Sequence, residues 1–230
     1  WRAQRSDSVT DTVDAAWQQV AQSAQAQIVA GTLRGAALGD LLMSVPARDR
    51  DAFADVLLGL DDAPPDDVEL PRGCVPYLPC GVGEIVGWVR AVPLTASDTL
   101  VDLGSGLGRV VMLAHLLSGA RAMGIEIQTP LVQAAQARSA ALGLTGVSWL
   151  HGDAATVPLP ADASAFFLYA PFTGDTLSRV LSRLAQVAQR RAIVVGTVDL
   201  DLHGVAWLRP RAAGHTTLSV YDGGPVPPSV

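Results

Sequence analysis

The run Val101-Asp102-Leu103-Gly104-Ser105-Gly106-Leu107-Gly108-Arg109 restricts the possible folds of this chain more than any other segment. A short β-rich stretch, Thr99 to Leu103, leads into three glycines at alternate positions. An apolar helical stretch follows, from Arg109 to Leu117, closed by Gly119. Strand, glycine loop and helix in direct succession form the opening of an α/β crossover unit. The glycines allow a tight turn and close approach of a ligand to the backbone, and free N–H groups at the helix start favour a polar or anionic ligand group. A dinucleotide fingerprint needs its third glycine three residues after the second. That position is Arg109 here, so the spacing is G-x-G-x-G, with Asp102 two residues before the first glycine.

The same alternation continues downstream. Ala122 to Glu126, Val147 to Leu150, Ala165 to Tyr169 and Ala192 to Val195 read as strands. Between them lie a helix with Thr129 as cap and Pro130 at its first position, ending near Gly143, and an amphipathic helix carrying Leu177, Val180, Leu181, Leu184 and Val187. A further helix is expected over Gly83 to Val92, with Glu84 near its N-terminus. Such alternation predicts a parallel sheet covered on both faces. Val205 to Leu208 and Thr216 to Val220, around a Pro/Gly-containing turn, predict an antiparallel pair at the sheet edge.

Upstream, residues 1–60 read as a helical region. Val13, Trp17, Val20, Ala24 and Ile28 recur at helical spacing, with Asp7, Ser8 and Asp11 as caps or first-turn acids. Leu33 to Met43, stopped by Pro46, and a stretch carrying Phe53, Val56, Leu57 and Leu60 supply two more helices. Residues 61–70 hold paired prolines and four aspartates and read as a linker, leaving 71–230 as the α/β domain.

Composition narrows the partners. All 16 basic residues are Arg, and the net charge of -6 with no basic run argues against nonspecific binding to nucleic acid. No apolar run reaches the length of a membrane span, and Trp1 to Arg5 have no apolar stretch behind them, so cytoplasmic location is the expectation. Cys74 and Cys80 are too few and wrongly spaced for a zinc site; a disulfide between them is the alternative in an oxidising compartment. No metal is expected.

Asp102-x-Gly104-x-Gly106-x-Gly108 resembles motif I of the class I S-adenosylmethionine-dependent methyltransferases. The resemblance spans about Val75 to Tyr221 and implies a Rossmann-like, doubly wound, mostly parallel seven-stranded sheet with a C-terminal antiparallel hairpin. It further implies that Asp102, Gly104, Ser105, Gly106 and Gly108 surround the methionine end of S-adenosyl-L-methionine. Glu126, at the end of the second strand, falls where that family places its ribose acid, beside Ile127. Asp153 and Ala154 fall where it reads the adenine edge, and Tyr77 would cover the cofactor. Tyr77-Leu78-Pro79 together with Asp102 to Gly106 is also similar to the disruptor-of-silencing type of protein lysine methyltransferases and related bacterial proteins.

Related amine methylases carry N/D-P-P-Y/F after the fourth strand. Tyr169-Ala170-Pro171-Phe172 matches only its second half, leaving Tyr169 to orient a nucleophile or simply to pack at a strand end. His151 is a candidate base or a structural residue. The expected activity is in-line methyl transfer to an acceptor that is a protein side chain or a small molecule; the alternative is a noncatalytic module that binds the cofactor and acts through a partner. The glycine spacing argues against a nicotinamide enzyme. The N-terminal helices are expected to act as a lid or a substrate-recruiting surface.

Overall fold

The structure, a computed structural model, describes residues 15–67, 69–71, 73–211 and 217–225. Val13, Asp7, Ser8, Asp11, His215 and Thr216 lie outside them.

Three helices come first: α1 (Ala15–Val29), α2 (Gly35–Ser44) and α3 (Ala47–Leu58). The α/β part then runs α4 (Val82–Ala91), β1 (Thr99–Leu103), α5 (Arg109–Ser118), β2 (Arg121–Glu126), α6 (Thr129–Ala141), β3 (Val147–His151), β4 (Ala165–Tyr169), α7 (Gly174–Ala188), β5 (Ile193–Val198), β6 (Leu208–Pro210) and β7 (Leu218–Gly223). The seven strands form one sheet in the order β3-β2-β1-β4-β5-β7-β6. The first five are parallel; β7 pairs antiparallel with β5 and with β6. The strand order reverses between β1 and β4, where open α/β sheets leave a ligand crevice at their carboxyl ends.

β1 is buried along its whole length and β4 at all but its last residue, Tyr169, as expected of central parallel strands covered on both faces. One face carries Leu100, Ala122, Ala165 and Phe167 against α4 and α5; the other carries Val101, Leu103, Phe166 and Leu168 against α7. Period-two alternation along β1 and β4 therefore splits one apolar run between two cores. Val180 and Leu184 bury the apolar face of α7.

α1, α2 and α3 add an outer layer over α4 and α5. Leu38, Leu42, Phe53, Ala54 and Leu57 are buried in the same core as Ile85, Trp88 and Leu113. On α1 the buried stripe is Ala21, Ala24 and Ile28, with Trp17 edge-on to Phe53 at 6.0 Å. Val20, grouped with that stripe by spacing, is exposed. No helix among the described residues is long and apolar enough to cross a membrane.

Candidate functional site

The carboxyl ends of β1 to β5 converge on a cleft of about 530 Å³, within the range of small-molecule sites. Gly104 and Gly106 come from the β1 loop, Glu126, Ile127 and Gln128 from the end of β2, and Gly152, Asp153 and Ala154 from the end of β3. Tyr169, Ala170, Pro171 and Phe172 come from the end of β4, Asp199 from the end of β5, and Cys74 to Leu78 close the remaining side.

All three loop glycines adopt positive φ, 85° at Gly104, 52° at Gly106 and 82° at Gly108. At all three, close packing adds a second requirement, a Cβ on Gly104 meeting the Pro171 ring. A Cβ on Gly106 would strike the Tyr77 ring, and one on Gly108 would strike the Trp149 indole, which Ser139 fixes through a 2.9 Å bond from Nε1. The loop's own donors are mostly consumed. Gly104 and Ser105 donate to the Ile125 carbonyl at 2.8 and 3.0 Å, Gly106 to Glu126 Oε2 at 2.8 Å and Gly108 to the Ser105 carbonyl at 2.8 Å. This loop offers few free N–H groups to a phosphate, in keeping with its departure from the dinucleotide spacing.

Glu126 is buried at the cleft wall. Beyond Gly106, its Oε1 accepts from the Ile127 and Gln128 N–H groups at 2.8 and 2.9 Å. A carboxylate has about four lone-pair directions, so the remaining capacity lies on Oε2. Asp153 accepts from Ala155 N–H at 2.8 Å through Oδ1, while Oδ2 stands 3.9 Å from Arg179. His151 meets the Ile127 carbonyl at 3.0 Å and Thr129 Oγ1 at 3.1 Å on an exposed edge, and it is not among the cleft-lining residues. The helix after β2 is capped one residue earlier than expected: Gln128 holds the N-cap position, with Thr129 and Pro130 in the first turn.

Asp102 and Ser105 sit behind the loop, lining a void of about 20 Å³ that shares Tyr77, Leu78, Gly104 and Tyr169 with the main cleft. Gly108 lines neither space. Burial, and then the nearby Glu126 carboxylate, push the Asp102 carboxyl up to about 8. Ser105 Oγ is buried with no hydrogen-bond partner among the described residues.

Tyr77 is held over the loop from two directions. Its N–H donates to Asp66 Oδ1 at 2.9 Å, and Asp66 also accepts from Gln128 Nε2 at 2.9 Å. Gln128 Oε1 in turn accepts from Asp67 N–H at 2.8 Å, so Asp66 and Asp67 of the stretch read as a linker lie fastened to the cleft rim. Burial pushes the Tyr77 hydroxyl up to about 12, so it stays protonated at neutral pH.

Arg109 was visible in sequence only as the residue that breaks a glycine pattern. In the structure its buried guanidinium donates to Asp55 Oδ1 from Nη2 at 2.6 Å and Nε at 3.1 Å, and to the Cys80 carbonyl from Nη1 at 2.9 Å. Asp51, also on α3, accepts from Val82 N–H at 2.8 Å and so caps α4. Burial opposes the Arg109 charge, but the Asp55 and Asp51 carboxylates outweigh it and raise its proton affinity. α3 is thereby tied to the start of α5 and to the strand of chain that carries Tyr77. None of residues 15–60 lines the cleft; the segment over the glycine loop is 74–78.

The β4 and β5 ends differ. Ala170 has φ 35° and Asp199 has φ 51°, the two non-glycine residues at positive φ among those described. Such conformations are uncommon and cluster at functional sites. The chain after β4 is anchored by antiparallel bonding to the segment before α4: Val75 N–H donates to the Pro171 carbonyl at 3.3 Å and Thr173 N–H to the Gly73 carbonyl at 2.9 Å. Cys74 and Cys80 are both free thiols. Asp199 was missed because the fifth strand was expected to end at Val195, ahead of Gly196. The strand continues to Val198, because Gly196 is where Trp88 packs against the sheet. A glycine inside a β-branched run is the signal that marks such an approach.

A switch-point cleft lined by a glycine loop, a strand-end glutamate and a strand-end aspartate defines a Rossmann-like nucleotide-cofactor protein. Residues 100–191 match the model of a methyltransferase domain family. The chain is 32% identical over 234 aligned positions to a protein-L-isoaspartate O-methyltransferase of Methylorubrum extorquens (strain PA1), covering 96% of this chain and 90% of the relative. It is 38% identical over 81 positions to a lysine N-methyltransferase of Caenorhabditis elegans, over 33% of this chain and 42% of the relative. Among solved structures, an RNA methyltransferase from Salinibacter ruber in complex with S-adenosyl-L-homocysteine superposes with a TM-score of 0.53 at 24% identity, covering 66% of this chain and 98% of that one. The chain belongs to the class I S-adenosylmethionine-dependent methyltransferases. Its methyl donor is S-adenosyl-L-methionine, and its sheet, with the C-terminal antiparallel pair, is the one that the glycine motif implies.

Proposed function

We propose that the cleft binds S-adenosyl-L-methionine across the ends of β1, β2 and β3 and transfers its methyl group to a nucleophile entering from the ends of β4 and β5. The observation carrying this reading is the convergence of Gly104, Gly106, Glu126 and Asp153 on one cleft. The cofactor supplies an activated methyl group on a sulfonium sulfur. Gly104 and Gly106 let the backbone approach its methionine end, with Gly108 and Ser105 shaping the loop from behind and Asp102 facing the ammonium side. Glu126 Oε2 accepts from the ribose, Asp153, Ala154 and Ile127 bound the adenine, and Tyr77 covers the sulfur region.

The protein's share of the chemistry is alignment and exclusion of water. Tyr169, at the end of β4, orients the incoming nucleophile through its hydroxyl. Burial, followed by the neighbouring Asp199, raises its proton affinity, so it works as a neutral hydroxyl. The acceptor is a side chain of a protein or a small molecule. A noncatalytic role has no observation in its favour.

The N-terminal helices serve on this reading as a brace. Asp55 and Arg109 hold the end of the glycine loop, and the apolar residues of α2 and α3 complete the core beneath it. Labelled-methyl S-adenosyl-L-methionine incubated with the protein and a mixture of candidate acceptors should yield S-adenosylhomocysteine in proportion to methylated product. Saturable donor binding with no such product from any acceptor class would return the noncatalytic reading.

A further inference from the structure

The cleft is asymmetric in charge. Among the described residues its carboxylates are Glu126, Asp153 and Asp199, and no arginine lines it. Glu126 and Asp153 lie at the ends of β2 and β3, with oxygens bonded to their own loops. Asp199 lies across the switch point at the end of β5. Its backbone N–H bonds to the Thr217 carbonyl at 3.2 Å, while its carboxylate has neither hydrogen bond nor ion pair among the described residues. The register pairs Val198 with Tyr169, so the residue after β5 stands beside the last residue of β4. The Tyr169 hydroxyl is likewise without a hydrogen-bond partner among the described residues, and the charges acting on it, from Asp199, Cys80, Glu84 and Asp51, are all negative or become so on ionisation.

From this juxtaposition we infer that the acceptor is an aliphatic primary amine, recognised as its ammonium by the Asp199 carboxylate and the Tyr169 hydroxyl. The inference rests on the methyltransferase reading of the same cleft. Three features of the physics favour it. An ammonium entering beside the exposed Asp199 carboxylate, which has no partner among the described residues, gains a charge-assisted hydrogen bond and displaces only water from it. A carboxylate acceptor would instead meet, among the described side chains lining the cleft, only like charge and no arginine to hold it. Transfer to an amine also moves positive charge from sulfur to nitrogen, toward Asp199, and a negative surrounding stabilises it throughout; transfer to a carboxylate would extinguish the charge that the surrounding favours.

The balanced step is R–NH3+ plus the methyl sulfonium giving R–NH2+–CH3, the neutral thioether and one proton. The ammonium first loses a proton to water. The freed lone pair on nitrogen then forms the N–C bond as the C–S bond breaks, and that bond's electrons remain on sulfur. Asp199 holds the nitrogen in place, and Tyr169, the other recognition group, lines the same cleft.

The test offers the full chain, saturated with S-adenosyl-L-methionine, three probes: n-butylamine, a lysine-containing peptide and an isoaspartyl peptide. Donor binding is measured in parallel. Methyl transfer to an amine is expected, with the lysine peptide against n-butylamine distinguishing a protein side chain from a free amine. Asp199→Asn keeps a residue that tolerates left-handed backbone and removes the charge. It should lower amine transfer about 10- to 100-fold, as loss of a charged hydrogen bond does, chiefly through the amine KM, with donor affinity unchanged. Methylation of the isoaspartyl peptide while both amines stay inert overturns the inference. So does equal amine transfer by Asp199→Asn, or no amine transfer by donor-saturated protein. Failure to bind the donor would overturn the methyltransferase site itself, a separate result.

Discussion

At the ends of β2 and β3 the polar side chains along the cleft are committed within the chain: Glu126 accepts three backbone N–H groups, Gln128 bridges Asp66 and Asp67, and Asp153 closes its own turn. At the ends of β4 and β5 the Tyr169 hydroxyl and the Asp199 carboxylate have no partner among the described residues, and Ala170 and Asp199 adopt positive φ. The first half is held in place by its own hydrogen bonds, which suits the one fixed ligand proposed for it. The second stores conformational strain and unspent polar capacity, which suits a side that receives a partner and releases it. The two halves should therefore respond differently to substitution.

The largest effect is expected where the rigid half is braced. Asp55→Ala leaves the Arg109 guanidinium buried beside the glycine loop with its main partner gone, a change worth about 3–5 kcal/mol for a buried ion pair. Denaturant melts should show that loss, with donor affinity falling as well; a stability within about 0.5 kcal/mol of the parent, the range of ordinary surface changes, would remove the brace from the account. Gly108→Ala comes next. It combines a left-handed backbone with a Cβ driven into Trp149, and should cost about 2–4 kcal/mol from strain and overpacking together.

Asp102 sharpens the comparison through pH. Its folded proton affinity, about 8, lies far above the ordinary aspartate value of 3.8, so the folded chain holds a proton that the unfolded chain releases. Stability of the free protein should fall as pH rises from about 4 to about 8 and level off beyond. A cationic ligand favours the ionised carboxylate, so donor affinity should rise over the upper part of that window, by at most about tenfold per pH unit. Asp102→Asn should flatten both profiles in calorimetric and melting series; a parent protein with pH-independent affinity between 6 and 8 would take Asp102 away from the ligand.

The smallest effect belongs to the open half. Ala170→Gly relieves φ 35° and should stabilise the fold by about 1 kcal/mol, in contrast to every change in the rigid half. A destabilised Ala170→Gly variant would show that the conformation is not strained.

What the sequence disclosed divides along the same line. β1 and β4 begin and end where their β-rich runs do, and the glycine spacing with Glu126 and Asp153 was enough to pick out residues that converge on one cleft, because each sits at a single strand end. Residues whose roles depend on distant partners were not legible. Arg109 acquires its role only when α3 brings Asp55 to it, 54 positions away. Asp199 was hidden because Gly196 reads as a strand terminator until Trp88 is seen to occupy the place of its Cβ. The edge strand also moved: Val205 to Trp207 form a turn in which Trp207 packs over Gly223, and pairing begins only at Leu208. The aspartates at 66 and 67 read as linker, since nothing local announces a partner at Gln128.

The most direct test of the central claim is a calorimetric titration of the protein and of Glu126→Ala with S-adenosyl-L-methionine, each shown to be folded. The account predicts saturable binding by the parent, weakened in the variant by about 1–3 kcal/mol for the lost charged hydrogen bonds. Equal affinity in a folded Glu126→Ala variant would contradict it, placing the donor somewhere other than the cleft at the ends of β1, β2 and β3.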